Sequence, residues 1–222
     1  MTNIDIETLS KPIQDNIQEQ TASLFYTRDT PPEKNQHWGD KIATKPACTL
    51  RVYFQNINGV QSTINWNKWR DIISEMSTNQ VDIMGLVETN INWNHHRNKR
   101  ALTLLRKTFK QSILLNATSN EPSPAFHKQG GSTLALLGNV VGTISNKTID
   151  TTGLGRWTYT ILNAKHHRKI VVITAYRFCH NSLPRGHETV YSQQYRILRR
   201  QNVSNPQPKQ LFDRDLTTLI TN

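Results

Sequence analysis

Apolar residues recur along this chain with two periods, and the switches between them mark out its elements. Leu50, Val52 and Phe54 alternate with polar neighbours at the spacing of a strand, and the run ends in a polar loop, Asn56, Ile57, Asn58 and Gly59. Trp66, Trp69, Ile72, Ile73 and Met76 then share one helical face, with Asn65 placed to cap the helix. Val81 to Val87 is apolar on both faces apart from Asp82, which predicts a strand buried in mid-sheet and ending at Glu88. From Arg97 to Phe109 the helical period returns: Ala101, Leu104, Leu105 and Phe109 point inward, and six Lys or Arg lie between Arg97 and Lys110. Beyond a loop around Pro122 and Pro124, residues 132–137, 139–145, 156–162 and 170–176 read as successive strands, for which an antiparallel meander is the natural arrangement. Two helical patterns close the chain, one through Tyr191, Gln194, Tyr195 and Leu198, the other through Phe212, Leu216, Leu219 and Ile220. The second is still amphipathic at Asn222, so the end reads as cut, with a natural C-terminal helix as the alternative.

The first 46 residues do not share this patterning. They are rich in Gln, Asn, Thr and Asp with scattered apolar residues, and read as a flexible polar tail (1–46) before one domain (47–222). At 222 residues the chain is long enough for a sizeable core. Its mean hydropathy of −0.60 is polar, yet the aliphatic runs exclude wholesale disorder. No apolar stretch approaches the roughly 20 residues that span a bilayer, and Met1 to Ser10 lacks a basic-then-apolar signal. The expectation is a chain inside the cell, the nucleus included, neither secreted nor in a membrane. Cys48 and Cys179 have no His or Cys at zinc spacing and are expected as reduced core thiols.

The net charge of +11 is unevenly spread. Residues 1–47 carry 5 Lys/Arg against 7 Asp/Glu, residues 48–150 carry 11 against 6, and residues 151–222 carry 11 against 3. A basic field attracts polyanions, nucleic acid first among them, though solvated basic faces are the plain alternative.

Three predicted strands end in chemistry-bearing residues. Leu50, Val52, Phe54, Asn56 and Asn58 would share one strand face that turns from apolar to amide. Glu88 would stand at the rim of a core, where a carboxylate is costly unless paired or metal-bound. Tyr176 and Arg177 end the run that starts at Ile170. Ligands of open sheets lie beyond the carboxyl ends of strands, so these groups could converge. Each also has an ordinary reading: an ion-paired strand end for Glu88, turn chemistry for Asn56 and Asn58, a packed phenol for Tyr176.

Taken in order, these segments resemble the endonuclease/exonuclease/phosphatase family, which includes deoxyribonuclease I, abasic-site endonucleases and endonuclease domains of non-LTR retroelements. The matching segments are Gln55-Asn56-Ile57-Asn58-Gly59-Val60, Val81 through Thr89, Gly130-Gly131-Ser132, Gly155-Arg156-Trp157 and Ile173-Thr174-Ala175-Tyr176-Arg177, over roughly residues 48–222. The Gln193-Gln194 and Asp215-Leu216 helices look most like retroelement members. The resemblance implies an α+β fold, the deoxyribonuclease I-like four-layer αββα sandwich, with only its N-terminal part present and one of its two sheets. It implies that Glu88 holds Mg2+ (or Mn2+) against the scissile phosphate and that Asn56 orients carboxylates and phosphate. Tyr176 would hydrogen-bond the phosphate, and Arg156 matches a recurrent arginine nearby. Asn58 stands where many members have Asp, which removes a negative charge from the metal site. Arg177 is a phosphate-binding candidate on charge alone.

Such a site suits phosphodiester hydrolysis, which needs a cation for developing charge, donors for the oxygens and a base for water. Mg2+ takes one or two carboxylates plus water and phosphate. The family's later Asp-x-Asn and Ser-Asp-His elements have no counterpart before Asn222. His95-His96 and His166-His167 lie in basic polar loops and are expected to face solvent; His180 and His187 follow Tyr176 too closely to stand in for a terminal histidine. The leading expectation is therefore a Mg2+-dependent, retroelement-like DNA-nicking endonuclease of impaired turnover. An inactive nucleic-acid-binding module and a decayed fragment are the alternatives.

Overall fold

The computed structural model describes residues 44–60, 66–179 and 189–221. Among them β1 (Val52–Asn56) leads through α1 (Asn67–Thr78) to β2 (Ile83–Val87), and α2 (Lys99–Thr108) precedes β3 (Ser112–Ala117) and β4 (Ser132–Leu137). Then come β5 (Ile144–Ile149), β6 (Trp157–Asn163), β7 (Lys169–Ala175), α3 (Val190–Arg200) and α4 (Pro208–Thr221). The 1–46 tail lies almost wholly outside the described residues, as does the Asn65 cap. Trp66 instead occupies the cap position of α1, buried and left-handed at φ 53.

The strands form two sheets. β1 pairs parallel with β2, from Val52 opposite Ile83 to Asn56 opposite Val87, because α1 carries the chain back between them. β4 pairs antiparallel with both β2 and β3, giving the order β1-β2-β4-β3. β5, β6 and β7 make a three-stranded antiparallel sheet.

Three expectations change here. Both sheets of the sandwich are present rather than one. The meander holds for β5 to β7, whereas 132–137 belongs to the first sheet, and much of 139–145 is a short helical turn, Gly138–Thr143. β3 was not foreseen; its Ser-Ile-Leu-Leu-Asn-Ala run is half-buried on both faces and lacks the period-2 contrast that marks a strand.

The helical stripes pack as their spacing requires. Trp69, Ile73 and Met76 of α1 and Leu104 and Leu105 of α2 bury against Met84, Leu86 and Ala135 on the outer face of the first sheet. Each large apolar side chain buried there contributes about 1.5–3 kcal/mol. Between the sheets lie Ile83, Leu134, Leu136, Leu162 and Val172. On the far side Ile197 and Leu198 of α3 meet Leu154, and Phe212 of α4 sets its ring edge to face against Trp157 at 5.8 Å. The layers thus run helix, sheet, sheet, helix, the expected α+β sandwich.

The face of β1 that looks toward the second sheet is not covered: Leu50, Val52 and Phe54 remain 45%, 47% and 51% exposed. Cys48 and Cys179 are free and exposed, not core thiols, because each sits just outside a strand end. Among the described residues no helix is long and apolar enough to cross a membrane.

Candidate active site

The carboxyl ends of β1 and β2 lie side by side because the strands are parallel and in register. The loops that leave them are tied together: Ile57 N donates to Val87 O (3.1 Å), Gly59 N to Glu88 O (2.6 Å) and Val60 N to Thr89 O (2.8 Å). Lys68, on the first turn of α1, donates its ammonium to Ile57 O (2.5 Å) and Gly59 O (2.7 Å) and fixes the first loop from outside. Glu88 turns out of the strand in the left-handed region (φ 53), a conformation costly for a residue with a Cβ and held here by these bonds.

β7 of the second sheet ends beneath the same rim. Tyr176 follows it directly, its N–H donating to Arg156 O (2.9 Å), and its hydroxyl donates to Glu88 Oε1 at 2.6 Å. Burial, together with the hydrogen bond to Glu88 and that residue's negative charge, pushes the Tyr176 phenol well above its ordinary range, so it stays protonated and donating. Two residues singled out from the sequence 88 positions apart are thus in direct contact.

Asn56 is exposed at the end of β1, and its Oδ1 accepts the Asn58 N–H at 3.0 Å. Its amide nitrogen has no partner among the described residues and is available to donate. The proposed strand face does not extend to Asn58: the strand stops at Asn56, and Asn58 is left-handed (φ 43) and exposed.

The two arginines are not brought to this cluster. Arg156 is fully buried. Its Nε donates to Asp150 Oδ2 (2.8 Å) and its Nη2 to Asp150 Oδ1 (3.2 Å), while Nη1 reaches Asp215 Oδ2 (2.9 Å). The guanidinium also lies 3.9 Å from the centre of the Trp157 ring. With its donors spent inside the fold, it has none for a phosphate, and it braces the β6 edge whose carbonyl holds Tyr176. Arg177 is exposed but clamped on Asp213 through Nε (2.7 Å) and Nη2 (2.8 Å), a hydrogen-bonded pairing that raises the guanidinium's already high pKa.

Asn90 and Asp150 were missed by the sequence reading, which named Gly130 and Asp215 only within segments that carry the resemblance and gave them no role. Asn90 Oδ1 accepts Gly130 N (2.7 Å) and its N–H donates to Gly130 O (2.9 Å). A Cβ on Gly130 would come within 2.6 Å of Val190 Cγ2, so the glycine lets the loop pass between the rim and α3. For Asn90 and Gly130 the signal was Asn and Gly in loops that follow or precede strands. His95 is half-buried beside exposed His96, and His166 and His167 are exposed as expected; His180 and His187 lie outside the described residues.

One carboxylate oxygen, Glu88 Oε2, has no hydrogen-bond partner among the described residues. That donor set fits a hard cation held through one carboxylate, water and a substrate phosphate. It does not fit an ion held by protein alone, since no group of three His, Cys, Asp or Glu that could hold a metal occurs among the described residues.

The chain is similar in fold to two solved endonuclease-type structures. One is the AP endonuclease LMAP from Leishmania major, with 15% identity and a TM-score of 0.44 over 71% of this chain and 50% of that one. The other is an endonuclease/exonuclease/phosphatase family protein from Leptotrichia buccalis C-1013-b, with 14% identity and a TM-score of 0.40 over 71% of this chain and 63% of that one. The chain therefore spans half to under two thirds of the length of these structures. No protein-family model matches the sequence, and no curated protein does.

Proposed function

We propose that the chain is an endonuclease/exonuclease/phosphatase-type phosphodiester hydrolase that depends on Mg2+ or Mn2+ and nicks DNA, in the manner of retroelement endonucleases. The observation that carries this reading is the 2.6 Å hydrogen bond from Tyr176 to Glu88, which joins the two sheets at the carboxyl ends of β2 and β7 beside Asn56. A structural ion pair would join Glu88 to a cation; here a neutral donor orients it through Oε1. The bound ion would supply charge neutralisation at the phosphoryl oxygens. Glu88 would hold it, Tyr176 would keep the carboxylate from rotating, and the Asn56 amide nitrogen would donate to a phosphate oxygen. The described residues offer no evident base for water at this rim, and loss of a general base typically costs 10²–10⁴-fold, so slow turnover is the expectation for this chain.

Nicking of supercoiled plasmid in Mn2+, with calorimetry of Mn2+ uptake on the same protein, tests the proposal. Slow nicking and metal uptake, both lost in Glu88→Gln, support it. A protein that neither takes up Mn2+ nor nicks DNA, yet binds it with log affinity falling steeply against log salt, is the binding module favoured by the +11 charge alone.

A further inference from the structure

From Thr89 to Asn120 the chain holds six Lys or Arg and no Asp or Glu, and α2 lies in the middle of that stretch. The core takes one side of the helix through Ala101, Leu104 and Leu105. At about 3.6 residues per turn, Lys99, Thr103 and Arg106 therefore stand on the opposite side, with Lys107 beside them, and all four are exposed. Lys110, just past the helix, is exposed too. Among the described residues Lys99, Arg106, Lys107 and Lys110 make no ion pair and no side-chain hydrogen bond. Elsewhere the fold pairs its surface arginines: Arg177 with Asp213, Arg196 and Arg200 with Glu121, Arg214 with Asp215.

Folding does not account for this face. Arg106 and Lys107 suit the partial negative charge at the last turn of α2, but Lys99 occupies the first turn, where the partial charge is positive and a cation is unfavourable. Beside the face, a groove of about 320 Å³ separates α2 from α1. Ile73 and Leu104 are its apolar residues; the rest of its lining is Arg70, Lys107 and the hydroxyl-bearing Ser74, Ser77, Thr78 and Thr108. No carboxylate lines it, and Glu75 of α1 accepts instead from Asn79 Nδ2 (2.6 Å). The direction of the helix is set by the sheet. β2 and β3 both pair antiparallel with β4 and so run the same way, and α2 returns between them with Lys99 at the Glu88 end.

We propose that the outer face of α2, with the α1–α2 groove beside it, is a docking surface for the phosphate backbone of a DNA duplex, leading from the Glu88 rim along the side of the first sheet. Lysine, arginine and hydroxyl side chains are the usual holders of nucleic-acid phosphates. Lys99 and Arg106 stand about 10 Å apart along the helix axis, the length of about three phosphates on each strand of a duplex. A membrane surface fits poorly, because the apolar side of α2 is spent in the core and cannot insert. A protein partner fits poorly as well, because such interfaces centre on apolar or aromatic anchors and the exposed residues of α2 include none. The inference rests on the nucleic-acid part of the functional reading, not on metal or hydrolysis.

The test is fluorescence anisotropy of a labelled DNA duplex of about 20 base pairs with the full chain in EDTA, at salt from about 50 to 200 mM. Wild type is compared with Lys99→Gln/Arg106→Gln/Lys107→Gln, with Lys99→Gln alone, and with Lys165→Gln/Arg168→Gln/Lys169→Gln, which removes the same charge from exposed residues at the β6–β7 turn. The α2 triple variant should reduce the slope of log affinity against log salt by about two to three and weaken binding at least about tenfold, and the turn variant should change the slope by less than about one. Lys99→Gln should reduce the slope by about one while its melting temperature holds or rises, which a lysine kept for stability would not do. An α2 triple variant that loses no more than the turn variant overturns the surface and leaves the nuclease reading standing. No binding of the duplex by wild type at low salt overturns the nucleic-acid reading itself.

Discussion

Replacing Arg156 by Met tests whether this arginine is a brace or a phosphate ligand. Its guanidinium and the Asp150 carboxylate are both 0% exposed and joined by two hydrogen bonds, with Asp215 as a second, partly exposed acceptor. Burial alone would raise the Asp150 pKa, but the hydrogen bonds from Arg156 and Thr152 and the Arg156 charge bring it below the usual carboxylate value. Met preserves much of the packing on Trp157 and removes the charge, leaving the Asp150 carboxylate buried without its partner. Removing one partner of such a pair costs about 3–5 kcal/mol, a fifth or more of the roughly 5–15 kcal/mol that holds a domain together. Urea unfolding of residues 1–222 followed by tryptophan fluorescence reads this directly, and the slope of free energy against urea should stay constant. The double variant Arg156→Met/Asp150→Asn should recover most of the loss, since it removes both buried charges and keeps an acceptor for the Arg156 and Thr152 N–H groups. A cost below about 1 kcal/mol for Arg156→Met, or no recovery in the double variant, would refute the brace.

Further outcomes follow from the same geometry. Asp150 and Glu121 both have folded-state pKa values below their ordinary ones, so the stability they contribute is present above about pH 4 and is lost as pH falls through the lowered values; urea midpoints measured from pH 6 to pH 3 should drop, and an acid-insensitive midpoint would contradict the pairing. Gly155→Ala would put a Cβ 2.3 Å from Ser119 N and 2.4 Å from Thr118 C at φ 70, backbone contacts that cannot yield, so it should destabilise by about 2 kcal/mol or more in thermal melts. Thr158→Val removes a fully buried hydroxyl with no hydrogen-bond partner and should be neutral or stabilising by about 1 kcal/mol; a loss of that size would show that the hydroxyl is satisfied. Phe54→Ser on the uncovered face of β1 should leave the melting temperature nearly unchanged and reduce self-association in sedimentation velocity.

How much of this was legible follows from which forces act locally. The stripes of α1 and α2 and the apolar run of β2 are local patterns, and Glu88 was visible because a carboxylate interrupts seven mostly apolar residues. Tyr176 was visible as the phenol that ends the apolar run from Ile170, and the resemblance added its role toward phosphate. Its contact with Glu88 depends on β7 packing over β2, and no spacing in the sequence encodes that. Arg156 shows the opposite failure. The resemblance placed it near the catalytic site, whereas its true partners, Asp150 and Asp215, are 6 and 59 residues away and only the fold assembles them. β3 escaped because both its faces are partly covered, which removes the alternation a strand otherwise shows.

The core between the sheets changes character along its length, and the change bears on why the rim sits where it does. Far from Glu88 the facing residues are Ile83, Leu136, Leu162 and Val172. Toward Glu88 the same strand faces end in Ser132, Thr158 and Thr174, all buried, all with hydroxyls lacking a protein partner. The register makes this a consequence of strand direction: Ser132 pairs with Val87 and Thr158 with Thr174, so the hydroxyls of three strands gather at the end where β2 and β7 finish. An aliphatic layer there would bind the sheets more tightly and would also surround Glu88 with apolar surface, in which an unpaired carboxylate oxygen is costly. Small hydroxyls trade that packing for polar atoms beneath the carboxylate, and Gly85, over which the Phe54 ring lies, thins the layer further. The far end therefore supplies the cohesion and the near end tolerates the charge of Glu88 where the two sheets meet.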